Sequence, residues 1–408
     1  MAKVLVYICA YNAEKTLKRA IESVISQTHT DWICYIVDNG STDGTGTIIR
    51  EYADSDNRII PLANKQNHVW EPGNSSTELI LQYNDDDLFC ILDSDDEYKP
   101  DFLEKSIAFM KEQHLDIAVC GSDFIDTRTN VVCRSRKTEE NLVIEGRLFS
   151  DMFPYYHQFM RTTWGKLYSI SVFRNYDYSR VPSIRYGWDT LYAQESFRNA
   201  ERIGILAGVL HNYYISPESA SHMWDEKRIE SDNILFDTAK DFLISKCGGL
   251  SVLNEEFLQV IYMNSLSDTL KVLLDAGISK REKLDSLRGM FLNKNAIALA
   301  SKERFGAAFD TETEWTRARR ELFMTAALWL LSLEEVADEQ VEGFCELGEV
   351  LCASCEYAEG WLFFKKLLVQ FLIGSGRKDE AKTKFDELLE LLPDDTELEE
   401  LASGLDRR

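Results

Sequence analysis

Asp93, Asp95 and Asp96 stand within four positions of one another, directly after the apolar residues Cys90, Ile91 and Leu92. Carboxylates packed that closely at the end of a buried strand repel one another. They either hold their protons well above the usual range or need a cation. Mg²⁺ or Mn²⁺ is the natural partner, bound by one or two carboxylates with a substrate diphosphate completing the shell. Glycoside hydrolysis also uses carboxylate pairs, but those stand roughly 5 Å or more apart across a sugar, not side by side on one turn. Another acid, Asp38, ends the apolar run Trp32–Val37 and opens the turn-rich stretch DNGSTDGT.

The elements around these acids must alternate. Val4–Cys9 reads as a first strand. Leu17, Ala20, Ile21, Val24 and Ile25 then recur at helical spacing, with Asn12 as the expected N-cap and Glu14 in the first turn. Trp32–Val37, Ile59–Leu62, Leu88–Leu92 and Ile117–Cys120 read as further strands, with helices over Thr45–Tyr52 and from Pro100 to Gln113. Such alternation predicts a mostly parallel α/β sheet, whose ligands bind outside the carboxyl ends of the strands. Asp38 and the Asp93 cluster fall on that edge. Asp85, Asp86 and Asp87 precede the fourth strand, roughly 20 Å away at ~3.3 Å per residue, and read as a solvated loop. No GxGxxG follows the first strand, which argues against a dinucleotide-dependent dehydrogenase.

Composition narrows the class. The 408 residues exceed one ordinary core, so two domains are expected, over residues 1–230 and 231–408. A net charge of −24 repels nucleic acid and anionic surfaces. Neither a signal peptide nor a transmembrane segment is evident. The nine cysteines, in apolar contexts, suggest a reducing compartment. A cytoplasmic protein is expected, free or peripheral at the inner face of the membrane. Cys352 and Cys355 form a lone CxxC with Cys345 upstream, which reads as helix packing.

Six segments together resemble the family 2, GT-A fold glycosyltransferases: YICAYNAEKTLKRAIESVISQT (Tyr7–Thr28), VDNGSTDGT (Val37–Thr45), ILDSDDEYKPDFLEKSI (Ile91–Ile107), WGKLYSISVF (Trp164–Phe173), GWDTLYAQESF (Gly187–Phe197) and YYISPESAS (Tyr213–Ser221). The resemblance covers about the first 225 residues. It implies a nucleotide-sugar pocket lined by Ala10, Tyr11, Asn12, Glu14, Asp38, Asn39, Asp93, Ser94 and Asp95. Asp93 and Asp95 form the DxD motif that takes Mg²⁺ or Mn²⁺, with Asp95 the main ligand and Asp96 in support. Asp189 stands where the family carries its general base, which takes the acceptor hydroxyl's proton as that oxygen attacks the anomeric carbon. The implied reaction is an inverting transfer from a nucleoside diphosphate sugar, UDP being the expected nucleotide. The expected acceptor is a glycan, lipid-linked or protein hydroxyl, in bacterial surface glycan or glycoconjugate synthesis. Trp164, Lys166, Trp188 and His211 are candidates for acceptor or phosphate contacts, with buried packing or ion pairing as the competing reading; His222 is a further candidate ligand. Asn39 departs from the acidic pair usual in the family, and the loop Asn64–Ser76 lacks its Arg-Asn pair. Those departures leave a non-catalytic scaffold, binding nucleotide-sugar or glycan and a protein partner, as the alternative.

After the charged stretch Asp225–Asp232 the strand pattern ends. Helical spacing runs through Ile234–Ile244, Phe257–Leu274, Leu322–Leu333 and Val350–Leu372. Gly376, Ala381, Phe385 and Pro393 fall at the spacing of a tetratricopeptide second helix. An all-α domain that binds a partner or self-associates is the expectation.

Overall fold

The structure, a computed structural model, describes residues 3–67, 79–184, 186–216, 223–296, 358–393 and 395–406, with a few helical positions between 342 and 349. His222, Cys352, Cys355, the run Leu322–Leu333, and parts of the loop Asn64–Ser76 and of Val350–Leu372 lie outside the described residues. The chain divides into two compact units. One is Met1–His222 with Ile234–Asn254, the other Met223–Asn233 with Glu255–Arg408.

In the first unit, β1 (Val4–Ala10) lies between β2 (Trp32–Asp38) and β4 (Leu88–Ile91), with β3 (Ile59–Ala63) outside β2, all parallel. Val4, Leu5, Val6 and Tyr7 are all buried. Burial of both faces explains why these strands read as unbroken apolar runs. Helix α1 (Leu17–Ile25) buries Leu17, Ala20, Ile21 and Val24, the stripe its spacing predicts. It does not start at Asn12, however. Thr16 is the N-cap, and Asn12 takes a left-handed φ of 49°, a conformation Asn tolerates better than most residues. Helices α2 (Thr45–Ser55) and α3 (Phe102–Gln113) follow β2 and the acid cluster.

The rest of the sheet is mixed. In order from β4 come β9 (Lys166–Ser169), β6 (Ile117–Asp126), β10 (Arg202–Ile215) and β5 (Glu97–Tyr98). β6 and β10 are parallel, while β9 is antiparallel to both its neighbours. Two further strands, β7 (Val131–Arg136) and β8 (Leu142–Glu145), pair antiparallel to β6 and β10. The α/β sheet expected from the sequence is present, with this antiparallel insertion added. Helices α4 (Leu148–Asp151), α5 (Phe153–Met160) and α6 (Trp188–Asn199) complete the part of the chain that carries the site. The acids before β4 are not merely solvated. Asp87 accepts from the Lys3 backbone N–H at 2.9 Å, and Asp85 pairs with Arg174 at 2.6 Å.

Beyond this the chain is helical: α7 (Arg228–Cys247), α8 (Val252–Asp275), α9 (Lys280–Leu292), α10 (Ala358–Gly374), α11 (Lys378–Leu391) and α12 (Thr396–Asp406). The charged stretch is no linker, because its end forms the first turn of α7. Arg228 and Asp232 are buried. Arg228 Nε donates to Thr269 Oγ1 at 3.1 Å, and Thr269 Oγ1 donates to Asp232 at 2.6 Å. A polar network of this kind keeps both charges satisfied away from water. The repeat-like segment forms a helical pair. Gly376, at φ 77°, closes the turn between α10 and α11, and Phe385, Leu388, Val369, Leu398 and Leu401 share a core. Among the described residues no helix is long and apolar enough to cross a membrane.

Candidate active site

Register brings the first set of residues together. Ala10 pairs with Asp38 and Tyr7 with Ile91, so the loops after β1, β2 and β4 leave the sheet along one edge. Ala10 is fully buried, and its carbonyl accepts from the Asn39 N–H at 2.8 Å. Tyr11 is 46% exposed at that edge. Asn12 and Glu14 brace the loop after β2. The Asn12 Oδ1 accepts from Thr42 N at 2.8 Å, and Glu14 Oε2 accepts from Gly44 N at 2.9 Å. Asp38 Oδ1 accepts from Ser41 N at 2.9 Å. Asn39 is engaged at both ends of its amide: Oδ1 accepts from Asn64 Nδ2 at 2.8 Å and Nδ2 donates to Asn67 at 2.9 Å. It ties the ends of β2 and β3 together beside Asp38 and the exposed Tyr11.

The second set follows β4. Oxygens of Asp93, Asp95 and Asp96 lie within 4.8 Å of one another. Asp95 is exposed, Asp93 and Ser94 are half-buried, and Asp96 is fully buried. Asp96 Oδ1 accepts from Tyr214 N at 2.9 Å; its Oδ2 has no hydrogen-bond partner and lies 3.4 Å from His211 Nε2. Burial, then the charges of Asp96, Asp95 and Asp189, hold the Asp93 carboxyl well above the usual range. Burial and Asp95 do the same to Asp96. Among the described residues, no lysine or arginine forms an ion pair with these three carboxylates. Arg19 donates to the Asp95 carbonyl, not its carboxylate, and its guanidinium lies 3.5 Å over the Tyr214 ring. Clustered, uncompensated hard oxygens with one orphaned atom fit a divalent cation well.

The third set opens α6. Gly187, at φ 78°, is its N-cap and Asp189 sits in its first turn. Burial raises the Asp189 carboxyl above its usual range, opposed by the Thr190 N–H, Arg161 and Lys166. Its influence on Asp93 means both carboxylates share one field. The turn before β9 is fastened to this helix, since Thr190 Oγ1 donates to the Arg161 carbonyl at 2.8 Å.

Of the four residues expected to touch an acceptor or phosphate, Lys166, Trp164 and His211 are buried. Lys166 is fully buried, and its ammonium donates to the Thr162 carbonyl, to Thr162 Oγ1 at 3.2 Å and to the Trp164 carbonyl at 3.4 Å. Trp164 is 5% exposed and stacks on fully buried His211 at 4.4 Å and on Tyr213 at 5.2 Å. Trp188 is half-buried against Tyr192, ring centroids 5.1 Å apart. Tyr213, half-buried beside them, opens one of the six segments but was not among the residues the sequence singled out. Its hydroxyl is pushed up to about 12 by burial and by Asp96, Asp93, Asp95 and Asp189 together, so all four acids lie within its reach electrostatically.

Residues 5–177 match the family model described as Glycosyl transferase family 2. This segment belongs to that family. Among related proteins, Glycosyltransferase GlyA of Streptococcus pneumoniae serotype 4 is 26% identical over 233 residues, 55% of this chain and 32% of GlyA. Chondroitin synthase of Escherichia coli is 32% identical over 130 residues, 32% of this chain and 18% of the synthase. The matched stretches therefore span about a third or less of those relatives' own lengths. The structure of residues 1–349 of S. aureus TarS in complex with UDP-GlcNAc aligns over 91% of this chain and 92% of that one. It does so with a TM-score of 0.45 and 15% identity.

Proposed function

We propose that this family 2 domain is an inverting, metal-dependent glycosyltransferase. It moves a sugar from a nucleoside diphosphate donor, UDP being the preferred reading, to an acceptor hydroxyl of a surface glycan or glycoconjugate. The observation that carries the reading is the division of the acids into two sets. Asp93, Asp95 and Asp96 cluster within 4.8 Å after β4, while Asp189 comes from a separate helix and shares their field. Asp95 and Asp93 would hold Mg²⁺ or Mn²⁺, which when bound stabilises the charge of the departing diphosphate. Asp38 and Tyr11 would take the nucleoside. Asp189, its carboxyl raised by burial, is the base: a proton acceptor with an elevated pKa is better matched to a hydroxyl than an ordinary carboxylate. The helical unit is then the platform for the acceptor or a protein partner.

A pair of substitutions tests the division. Asp95→Ala should abolish Mn²⁺-dependent UDP binding. Asp189→Asn should leave that binding intact and lower donor turnover by roughly 100-fold or more. Calorimetry with UDP, with and without chelator, and a nucleotide-sugar hydrolysis assay read the two arms. Undiminished turnover in excess chelator, or loss of UDP affinity in Asp189→Asn, would sink the assignment.

A further inference from the structure

The first unit carries a second charged feature of opposite sign. β6 and β7 are antiparallel, with Phe124 facing Arg134 and Ser122 facing Arg136. Side chains alternate along a strand, so these four share one side of the ribbon. Asp123 and Ser135 share the other, where Ser135 Oγ donates to Asp123 at 2.5 Å and Lys99 Nζ pairs with Asp123 at 3.0 Å. Asp123, on the strand facing the two arginines, lies on the opposite side of the ribbon from them.

Arg134 lies 4.1 Å over the Phe124 ring. Arg136 lies 4.8 Å from the Trp164 ring and 5.3 Å from that of Phe159. Its Nη1 donates to the Gln158 carbonyl at 2.6 Å, whereas its Nε is buried without a hydrogen-bond partner. Arg161, at the C-cap of α5, is exposed. Burial, opposed by Cys120, then Arg161 and Arg134, depress the Arg136 guanidinium to about 10, so the three charges crowd one another. Burial and then Arg136 hold the Lys166 amine beneath them well below the usual lysine range. Among the described residues, none of the three arginines forms an ion pair with a carboxylate, although the chain has 69 acidic residues against 45 basic ones. Aromatic and carbonyl contacts hold Arg134 and Arg136 in place but leave their charge unneutralised, unlike Arg58, paired with Asp56, or Arg174, paired with Asp85.

An aromatic floor joins this patch to the acids. Phe124 and Tyr213 are 5.3 Å apart, and Trp164 and Tyr213 5.2 Å. Tyr213 in turn lies in the field of Asp93, Asp95, Asp96 and Asp189. The first unit thus carries an acidic cluster suited to a metal ion and diphosphate and, linked to it through these rings, a basic patch with no assigned ligand.

We propose that Arg134, Arg136 and Arg161 receive an oxyanion, phosphate or carboxylate, carried by the acceptor. The planar guanidinium presents paired N–H donors that match either group; stacking on Phe124 leaves the donor edge of exposed Arg134 free, while Arg136, with Nη1 held by the Gln158 carbonyl, adds its charge from behind. The acceptor is then an anionic molecule whose charged group docks on the arginines while its hydroxyl lies toward Asp189. Calling the ligand an acceptor rests on the glycosyltransferase reading; the anion site itself does not.

The test therefore measures anion binding directly. Inorganic pyrophosphate and an oligomer of glucuronic acid are titrated into the full chain in excess chelator, which removes any metal-borne contribution from the acid cluster. At least one should bind, and which of them does identifies the oxyanion. Arg134→Gln and Arg161→Gln, both at exposed side chains, should each weaken binding roughly tenfold, since a hydrogen bond to a charged group is lost. Thermal unfolding confirms that the variants are folded. No binding of either probe, or binding unchanged in both variants, would overturn the proposal. UDP with Mn²⁺ is titrated into the same samples: its failure in the unmodified protein would remove the donor reading, while the pyrophosphate and glucuronate results would still decide the anion site.

Discussion

Buried ionisable groups make this protein's stability depend on pH at particular residues. His157, on α5, is buried against Phe153 with ring centroids 5.2 Å apart. Burial, then the charge of Arg161, lower its imidazole from 6.5 to about 3. In the folded state it stays neutral where the unfolded chain would take up a proton, so between about pH 6.5 and 3 the unfolded state binds more protons and stability falls as pH falls. Between pH 7 and pH 5 the unmodified protein should lose roughly 2 kcal/mol more than His157→Phe. Urea unfolding at the two pH values measures the difference, and equal losses in both proteins would remove His157 as the cause. The same imbalance, burial outweighing compensation, is what distinguishes the Asp93 cluster from the surface pair Asp126–Arg128, where the guanidinium holds the carboxyl down at about 2.

At the scale of elements, the base candidate depends on how α6 begins. Gly187 takes φ 78°, and a Cβ there would lie 2.6 Å from Leu235 Cδ1. Gly187→Ala costs about 1–2 kcal/mol for the left-handed backbone alone, and Leu235 must also move. The variant should melt lower and transfer more slowly while UDP and Mn²⁺ affinity holds, because Asp38, Asp93 and Asp95 lie on other elements. Unchanged melting and turnover would show that the turn tolerates a side chain. The elements carrying those three acids were legible in the sequence, since β1, β2 and β4 are buried on both faces and leave long apolar runs. β9 was not legible: Lys166–Ser169 is too short for a period, and its lysine reads as exposed until the three oxygens around its ammonium are seen. Nor was the arginine patch, because β7 is an exposed ribbon whose alternation in VVCRSR acquires meaning only once Phe124 and Trp164 lie beside it. Asn39 and Asn12 were placed near the pocket by resemblance; their roles as loop braces come from hydrogen bonds between segments far apart in sequence.

At the scale of the molecule, the first unit does not end where the strands do. Ile234–Asn254 belongs to it. Phe242 and Leu243 are fully buried, with Phe242 6.1 Å from Phe153. Asp241 pairs with Arg180 at 2.8 Å and Arg198 at 3.0 Å, and Asn254 Nδ2 donates to the Ser150 carbonyl at 3.1 Å. Exposing one such Phe or Leu costs about 1.5–3 kcal/mol, a large part of a domain's stability. A chain ending at Asn254 should unfold cooperatively and bind UDP with Mn²⁺, whereas one ending at Asp232 should melt well below it or aggregate. Thermal melts of the two truncations compare them directly, and equal melting temperatures would show that this segment contributes nothing to the first unit.

The antiparallel strand β9 also governs the order in which the protein can be completed as it leaves the ribosome. β4 and β6 never touch directly; each pairs with β9, whose residues are 166–169. Until they emerge, the half-sheet built on β1 ends in β4, a wholly buried strand in the finished protein whose outer N–H and C=O groups have no partner strand. An open apolar edge of that kind templates pairing with other chains. The Asp93 cluster is thus already synthesised while the strand leading to it still lacks its neighbour. For the nascent chain, the interval between Ile91 and Lys166 is the window in which association with chaperones, or with another copy, competes with folding.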